Sequence, residues 1–405
     1  MKHIITLILF ALITTQILFS QMRTFFVKPI QTNESYVAAQ DSHLVVFNSS
    51  VAHNNKLFIY IGGTGSTPKN TTYILRIAAN LGYNVISLAY ANSLSAASAC
   101  ASSSDSLCYY KFREEICYGT NTSNIVATDS LNSLNGRALS LINYLALTYP
   151  TQNWDQFISG NKLVWSKIAV GGHSQGGGHA LYFSKTQSVD RVCMFSSIND
   201  YNDYYNRPAA WLREPFNTSF ARFFSFLHVN DDVISFSKQL QNQGALGVFS
   251  LGDDSTLIDN LATPYLNSHV LYTNTAPAGN LFPGALHNST VVDYSTPMIT
   301  SINPKFSSVW TYMLSLSIGT SVNALKYSDL NFSIYPNPVN NILNIQSNFK
   351  TKDNSILKIS NCLGQVLINK MVSNESDLIQ INISDLQQGI YFLTLNGNTI
   401  KFVKK

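Results

Sequence analysis

Charge is scarce in this chain. Asp, Glu, Lys and Arg make up 12% of its 405 residues, and the formal net charge is only +4. No Lys/Arg cluster occurs before the last residues, Lys401 to Lys405. Without a basic stripe or patch the sequence lacks the electrostatic footprint of a nucleic-acid binder, and no nucleic acid is expected as a partner. His, Cys and acidic residues nowhere recur at metal-ligand spacing, so no metal is expected. No internal repeat and no low-complexity tract interrupts the chain. After the first twenty residues no segment is apolar for long enough to span a bilayer. Cysteine is also sparse, at five residues, an odd number. Cys100, Cys108 and Cys117 share one polar stretch, where one disulfide is expected with its pairing left open. Cys193 falls in an expected buried strand and reads as an inert core thiol, and Cys362 lies far off in the C-terminal region.

What is present is apolar. Hydrophobic residues are 45% of the chain, and the polar remainder is rich in Ser, Thr, Asn and Gln. A chain of this length can bury a sizeable core and divide into two domains. Lys2 and His3 precede the mostly apolar run Ile4 to Phe19, with Ser20 as the small residue at a cleavage point. Residues 1–20 therefore read as a secretory signal peptide rather than a membrane anchor. No cysteine follows that run before Cys100, so a lipid-modified N-terminal cysteine is not expected.

The middle of the chain alternates strand and helix patterns. His43 to Asn48 is one strand candidate. Lys56 to Ile61 is a continuous apolar run that suits a strand buried on both faces, and Gly62-Gly63-Thr64-Gly65 follows it. Pro68 marks the start of a helix to Leu81. Tyr83 to Tyr90 reads as a strand, and Ile125 to Tyr149 has helical spacing that stops at Pro150. Further strands are expected at Arg191 to Phe195, Phe223 to Val229 and His269 to Thr273, with a closing helix at Ser307 to Ser317. This order predicts a mostly parallel sheet covered on both faces. Two insertions, residues 92 to 123 and 199 to 220, follow strands at one end of that sheet and are placed to roof a site. Around Gly319 the pattern changes. From Phe332 onward only short strands remain, seven of them from Phe332 to Val403, which predicts a small all-β sandwich.

One stretch carries chemistry. In Lys167 to Ala180, Ile168, Ala169 and Val170 form a short apolar strand, and His179 to Phe183 are helix-compatible. Between them Gly172-His173-Ser174-Gln175-Gly176 fits G-x-S-x-G, in which a serine sits on a strained strand-to-helix turn with its hydroxyl exposed. A serine nucleophile needs a base to take its proton and a carboxylate to orient that base. In this architecture the acid and then the histidine follow the serine. The strand Phe223 to Val229 runs into Asn230-Asp231-Asp232, so Asp231 is the expected acid and Asp232 the reserve. His287, in a loop past the last strand, is the expected base in preference to His269, which begins a strand. His173 and His179 flank the serine too closely, and His228 reads as a strand residue. The oxyanion should be met by the backbone N–H of Gln175 and by the loop after Ile61, through Gly63 and Thr64. That loop lacks the following Lys-Ser/Thr of a phosphate-binding loop.

With Ser174, Asp231 and His287 in that order, residues 21–320 resemble the α/β-hydrolase superfamily, serine esterase type. The resemblance implies an α/β fold, a mostly parallel sheet with helices on both faces, a catalytic triad and no cofactor. The superfamily also holds peptidases, lipases, polyester hydrolases and inactive members, so substrate does not carry over. After an expected linker at 321–330, residues 331–405 resemble the type IX secretion sorting domain of bacterial exported proteins. The matching motifs are Tyr335-Pro336-Asn337-Pro338-Val339 with Leu343-Asn344-Ile345, then Gly389-Ile390-Tyr391-Phe392-Leu393, then Lys401 to Lys405. This implies recognition by the type IX secretion machinery and a secreted or cell-surface protein. The expected function is a serine hydrolase cleaving small-molecule or polymeric carboxylic esters through an acyl-enzyme on Ser174. A serine peptidase, or a surface binding protein that keeps the fold without activity, are the other readings.

Overall fold

The computed structural model describes residues 22–36, 41–251, 255–315, 332–347, 355–361, 365–372, 378–395 and 398–405. The expected signal peptide, the expected linker and Cys362 lie outside these residues.

Nine strands build one mixed sheet. They are β1 (Met22–Val27), β2 (His43–Asn48), β3 (Leu57–Ile61), β4 (Asn84–Leu88), β5 (Ile168–His173), β6 (Arg191–Phe195), β7 (Phe223–His228), β8 (Thr256–Leu257) and β9 (Val270–Thr273). Their spatial order is β1-β2-β4-β3-β5-β6-β7-β9-β8. The pairings from β4 across to β8 are parallel. At the other edge β1–β2 and β2–β4 are antiparallel. Sequence reading misses β1 because it shows no buried alternation: only Val27 of its six residues is buried and Phe26 is 55% exposed.

The strands are apolar throughout because successive side chains feed two cores. In β3, Leu57, Ile59 and Ile61 face one layer, while Phe58 and Tyr60 face the other. The first layer packs helices α3 (Cys108–Tyr118), α4 (Leu134–Thr148) and α5 (Gln175–Thr186); the second packs α1 (Thr72–Asn80) and α8 (Ser307–Ser315). Between these in the chain come α2 (Ala96–Cys100), α6 (Phe236–Leu246) and α7 (Ala285–Asn288). The helix expected from Ile125 starts only at Leu134. Local polar bonds hold the preceding stretch in turns instead: Asp129 accepts from the Asn132 amide at 2.7 Å, and Ser133 caps α4 by accepting from Gly136 N–H at 3.1 Å. Buried Glu115 takes the amides of Thr122 and Thr128 as well.

Cys100 and Cys108 form a disulfide, which ties the end of α2 to the start of α3. Cys117 and Cys193 are free and buried.

Seven strands in the C-terminal segment form a three-stranded and a four-stranded antiparallel sheet. Their number agrees with the seven short strands expected between Phe332 and Val403. They share their own core, which includes Leu343, Ile345, Ile359, Leu393 and Phe402.

Candidate active site

Strand β5 ends at His173 and helix α5 begins at Gln175, so the chain reverses over one residue. That residue, Ser174, has φ 52° and ψ −120°, a conformation sparsely populated by non-glycine residues and maintained only when the surroundings over-determine it. The surroundings do so. Ser174 N–H donates to the Phe195 carbonyl at 2.8 Å, and its own carbonyl accepts from Gly177 N–H at 3.1 Å. A Cβ on Gly172 would stand 2.4 Å from the Gly176 carbonyl carbon, and one on Gly176 would stand 2.1 Å from the Ile61 carbonyl oxygen. The turn can form only with glycine at both places.

At the carboxyl end of β7 the chain turns through the two acids, and they divide the work. Asp231 Oδ1 accepts from Val233 and Ile234 N–H at 2.9 and 3.0 Å. Its Oδ2 accepts from His287 Nδ1 at 2.7 Å and from Gln239 Nε2 at 3.0 Å. Burial pushes this carboxyl up, but the His287 hydrogen bond and charge and the two backbone amides outweigh it, holding Asp231 below the usual carboxylate range. Asp232 touches no imidazole. Its two oxygens accept from the backbone N–H of His287 at 3.0 Å and of Gly284 at 2.8 Å.

His287 is therefore fixed on several sides. Its carbonyl accepts from Ser196 Oγ at 2.6 Å and from His173 Nε2 at 3.2 Å. Burial, and next the nearby His287, push His173 down to about 3, so that ring stays neutral. Because a carboxylate only accepts, His287 Nδ1 carries the proton and Nε2 is the free acceptor. Nε2 is buried with no hydrogen-bond partner among the described residues.

Ser174 and His287 line one cavity of about 900 Å³. No hydrogen bond joins them; Ser174 Oγ instead accepts from Asn199 Nδ2 at 3.3 Å. Gly63 and Thr64, at the end of β3, line the same cavity. The Gln175 N–H lies in the first turn of α5, where no intrahelical carbonyl can reach it. Both insertions contribute walls, through Ser95, Ser98 and Ala101 on one side and Asn199, Tyr201 and Asp203 on the other. The remaining aromatics of the second insertion do not: Trp211 is buried in the core and Tyr204 is 63% exposed. Lys238 and Asp203, both on the wall, neutralise each other at 2.5 Å.

The other histidines lie apart from this chemistry. His269 Nδ1 donates to the Phe223 carbonyl at 2.9 Å, and the ring stacks on Phe224. His228 bonds the Thr275 carbonyl at 3.1 Å. Buried His179 stands 3.9 Å from Cys117 Sγ, and burial holds its ring well below its ordinary pKa. Among the described residues no cluster of three or more His, Cys, Asp or Glu side chains could hold a metal ion.

Sequence reasoning passed over Asn199, Gln239 and the backbone role of Asp232. Only the last had a local signal, an acid in a turn, and its partner loop is 52 residues away.

Residues 333–405 match the family model of the secretion system C-terminal sorting domain, so the C-terminal segment is a type IX sorting domain. The chain is accordingly a secreted or cell-surface protein that engages the type IX secretion machinery. No described helix is long and apolar enough to cross a membrane. Among solved structures the chain is similar to a DUF3244-family protein of Bacteroides vulgatus with an immunoglobulin-like β-sandwich fold. That match has 16% identity over 19% of this chain and 88% of the other, with a TM-score of 0.17. No curated protein matches the chain in sequence.

Proposed function

We propose that residues 22–315 are an α/β-hydrolase of the serine esterase type, acting on carboxylic esters outside the cell. One observation carries the reading: His287 is bound through Nδ1 to buried Asp231, while its free Nε2 shares a cavity with a serine held at positive φ on a strand-to-helix turn. That is the constellation a nucleophile, base and orienting acid require.

In the proposed reaction the Ser174 hydroxyl rotates to His287 Nε2. Oγ bonds to the ester carbonyl carbon as its proton passes to Nε2. The negative oxygen of the tetrahedral intermediate takes hydrogen bonds from the N–H groups of Gln175, Gly63 and Thr64. Collapse breaks the bond to the alkoxide, which leaves with the proton from Nε2. Water then attacks the acyl-enzyme by the same proton route, releasing the acid and restoring Ser174. Asp231 stabilises the imidazolium at each step. The wall residues are chiefly serines, asparagines, tyrosines and glycines, which favours a short or polar ester over a long fatty acyl chain.

A fluorophosphonate probe tests the reading. Wild-type protein should label at Ser174, and Ser174→Ala should lose label and about 10³-fold or more of ester turnover at an unchanged melting temperature. Absence of label on a folded wild-type protein would leave a binding protein as the better account. Turnover of peptides in preference to activated esters would make it a peptidase.

A further inference from the structure

We propose that Asn199 is a positioning residue for Ser174, fixing which way the serine hydroxyl can donate; this rests on the hydrolase reading above. A hydroxyl has one proton to give and two lone pairs. In the structure one lone pair of Ser174 Oγ is taken by Asn199 Nδ2 at 3.3 Å. The hydroxyl proton is then left to seek an acceptor; apart from Oδ1 of the same Asn199 amide, the buried acceptor without a partner on this cavity is His287 Nε2. The outer links are in place, Asn199 N–H to Ser174 Oγ and His287 Nδ1–H to Asp231, and once the hydroxyl turns to His287 Nε2 the polarity runs one way along all three. Reversing the first link would point the serine proton away from the base.

The segment that carries Asn199 is braced on both sides. Asn242 donates to the Ile198 carbonyl at 2.8 Å and Gln243 to the Ser197 carbonyl at 3.1 Å, both from α6. Tyr201 N–H donates to the Asn199 carbonyl at 2.9 Å. Next in the chain, Asp200 is fully buried and paired with Arg113, with Nη2 at 2.5 Å and Nε at 3.2 Å. The same guanidinium donates through Nη1 to the Gln175 carbonyl at 2.7 Å. One buried cation therefore ties the residue after Asn199 to the residue after Ser174, which holds the two side chains in register. Asn199 itself is only 7% exposed, and its Oδ1 has no partner among the described residues. An amide kept at a buried position with half its capacity unused is poorly explained by stability alone.

The test uses the full chain and the rate of fluorophosphonate labelling at Ser174, alongside kcat, KM and melting temperature, in Asn199→Ala and Asn199→Asp. Loss of the donor in Asn199→Ala should slow labelling and kcat by about tenfold with KM little changed. Asn199→Asp keeps the shape but turns the donor into an acceptor for the serine proton. It should be slower by about a further tenfold, despite a melting temperature at or above that of Asn199→Ala. A purely structural role predicts the opposite order, because the isosteric side chain would perturb less. Wild-type labelling with both variants at the wild-type rate, or with Asn199→Asp faster than Asn199→Ala, would overturn the role of Asn199 and leave the hydrolase reading standing. Absence of wild-type labelling would remove both.

Discussion

Two adjacent carboxylates in one turn do different jobs, and their substitutions should separate. Asp231 holds the ring of His287, so Asp231→Asn is expected to lower kcat by about 10³- to 10⁴-fold through a wrong tautomer, with KM little affected. Asp232 holds the backbone of the same loop at His287 and Gly284. Its side chain is exposed, so Asp232→Ala should remove about 1 kcal/mol and lower the melting temperature by a few degrees, with a kcat loss under about tenfold. Steady-state kinetics and a thermal melt on the two variants check the division; a larger kcat loss in the Asp232 variant would reverse it. That an acid would stand in this turn is legible from the apolar run of β7 breaking at Asn230. How the pair is shared is not, because Gly284 and His287 reach the turn from more than fifty positions away. Asn199 was invisible for the same reason: an asparagine after a strand is ordinary turn chemistry until the fold brings Ser174 to it.

At the scale of elements, the serine turn and the loop after β3 are built against each other. A methyl group on Gly176 would meet the carbonyl oxygens of Ile61 and Gly62 at 2.1 and 2.4 Å. These are backbone atoms, so the loop bearing Gly63 and Thr64 would have to move. Gly176→Ala is expected to cost more than about 3 kcal/mol, measured by urea unfolding, or to yield insoluble protein. Gly160→Ala is the control, with positive φ but nothing within 4 Å, and should cost about 1 kcal/mol. Equal effects would mean that close packing at the turn is unimportant. Elements such as β3, β5, β6 and β7 are readable from sequence because burial on both faces leaves a mostly apolar run, unbroken in β3 and interrupted in the others by a few small, polar or terminal charged residues. The exposed edge strand β1 and the capped start of α4 are not, since each is fixed by a partner or by side-chain bonds that periodicity does not register.

The whole molecule holds separate cores for the sheet domain and the sorting domain. Removing residues 332–405 should therefore leave a soluble, active protein that its native cell fails to export; an unfolded product, or continued export, would contradict this. The sheet domain also buries histidines in their neutral form. Burial lowers His43 and His173 to about 3, lowers His179 well below 6.5, and lowers His228 less. The unfolded chain binds protons at these rings from about pH 6.5 downward while the folded chain does not. Stability should then fall as pH drops from about 6.5 toward 3, by up to about 1.4 kcal/mol per pH unit for each histidine. The lowered Asp231 adds a loss of the same sign at the acid end. Melting temperatures from pH 7.5 to 4.5 measure this, and a flat profile below pH 6.5 would refute it.

The bridge between Cys100 and Cys108 gives the protein a sense of where it is. Its short loop carries Ala101, and the helix before it carries Ala97 and Ser98, all on the cavity wall. Thiols stay reduced in a cytoplasm and oxidise once a chain has left it. On the hydrolase function proposed above, chain that is not yet oxidised is expected to hold this cavity wall less firmly and to bind substrate more weakly than chain that has been exported. Protein purified under reducing conditions should show a raised KM and an unchanged kcat, corrected by adding an oxidant; identical KM values before and after oxidation would show that the wall needs no such staple.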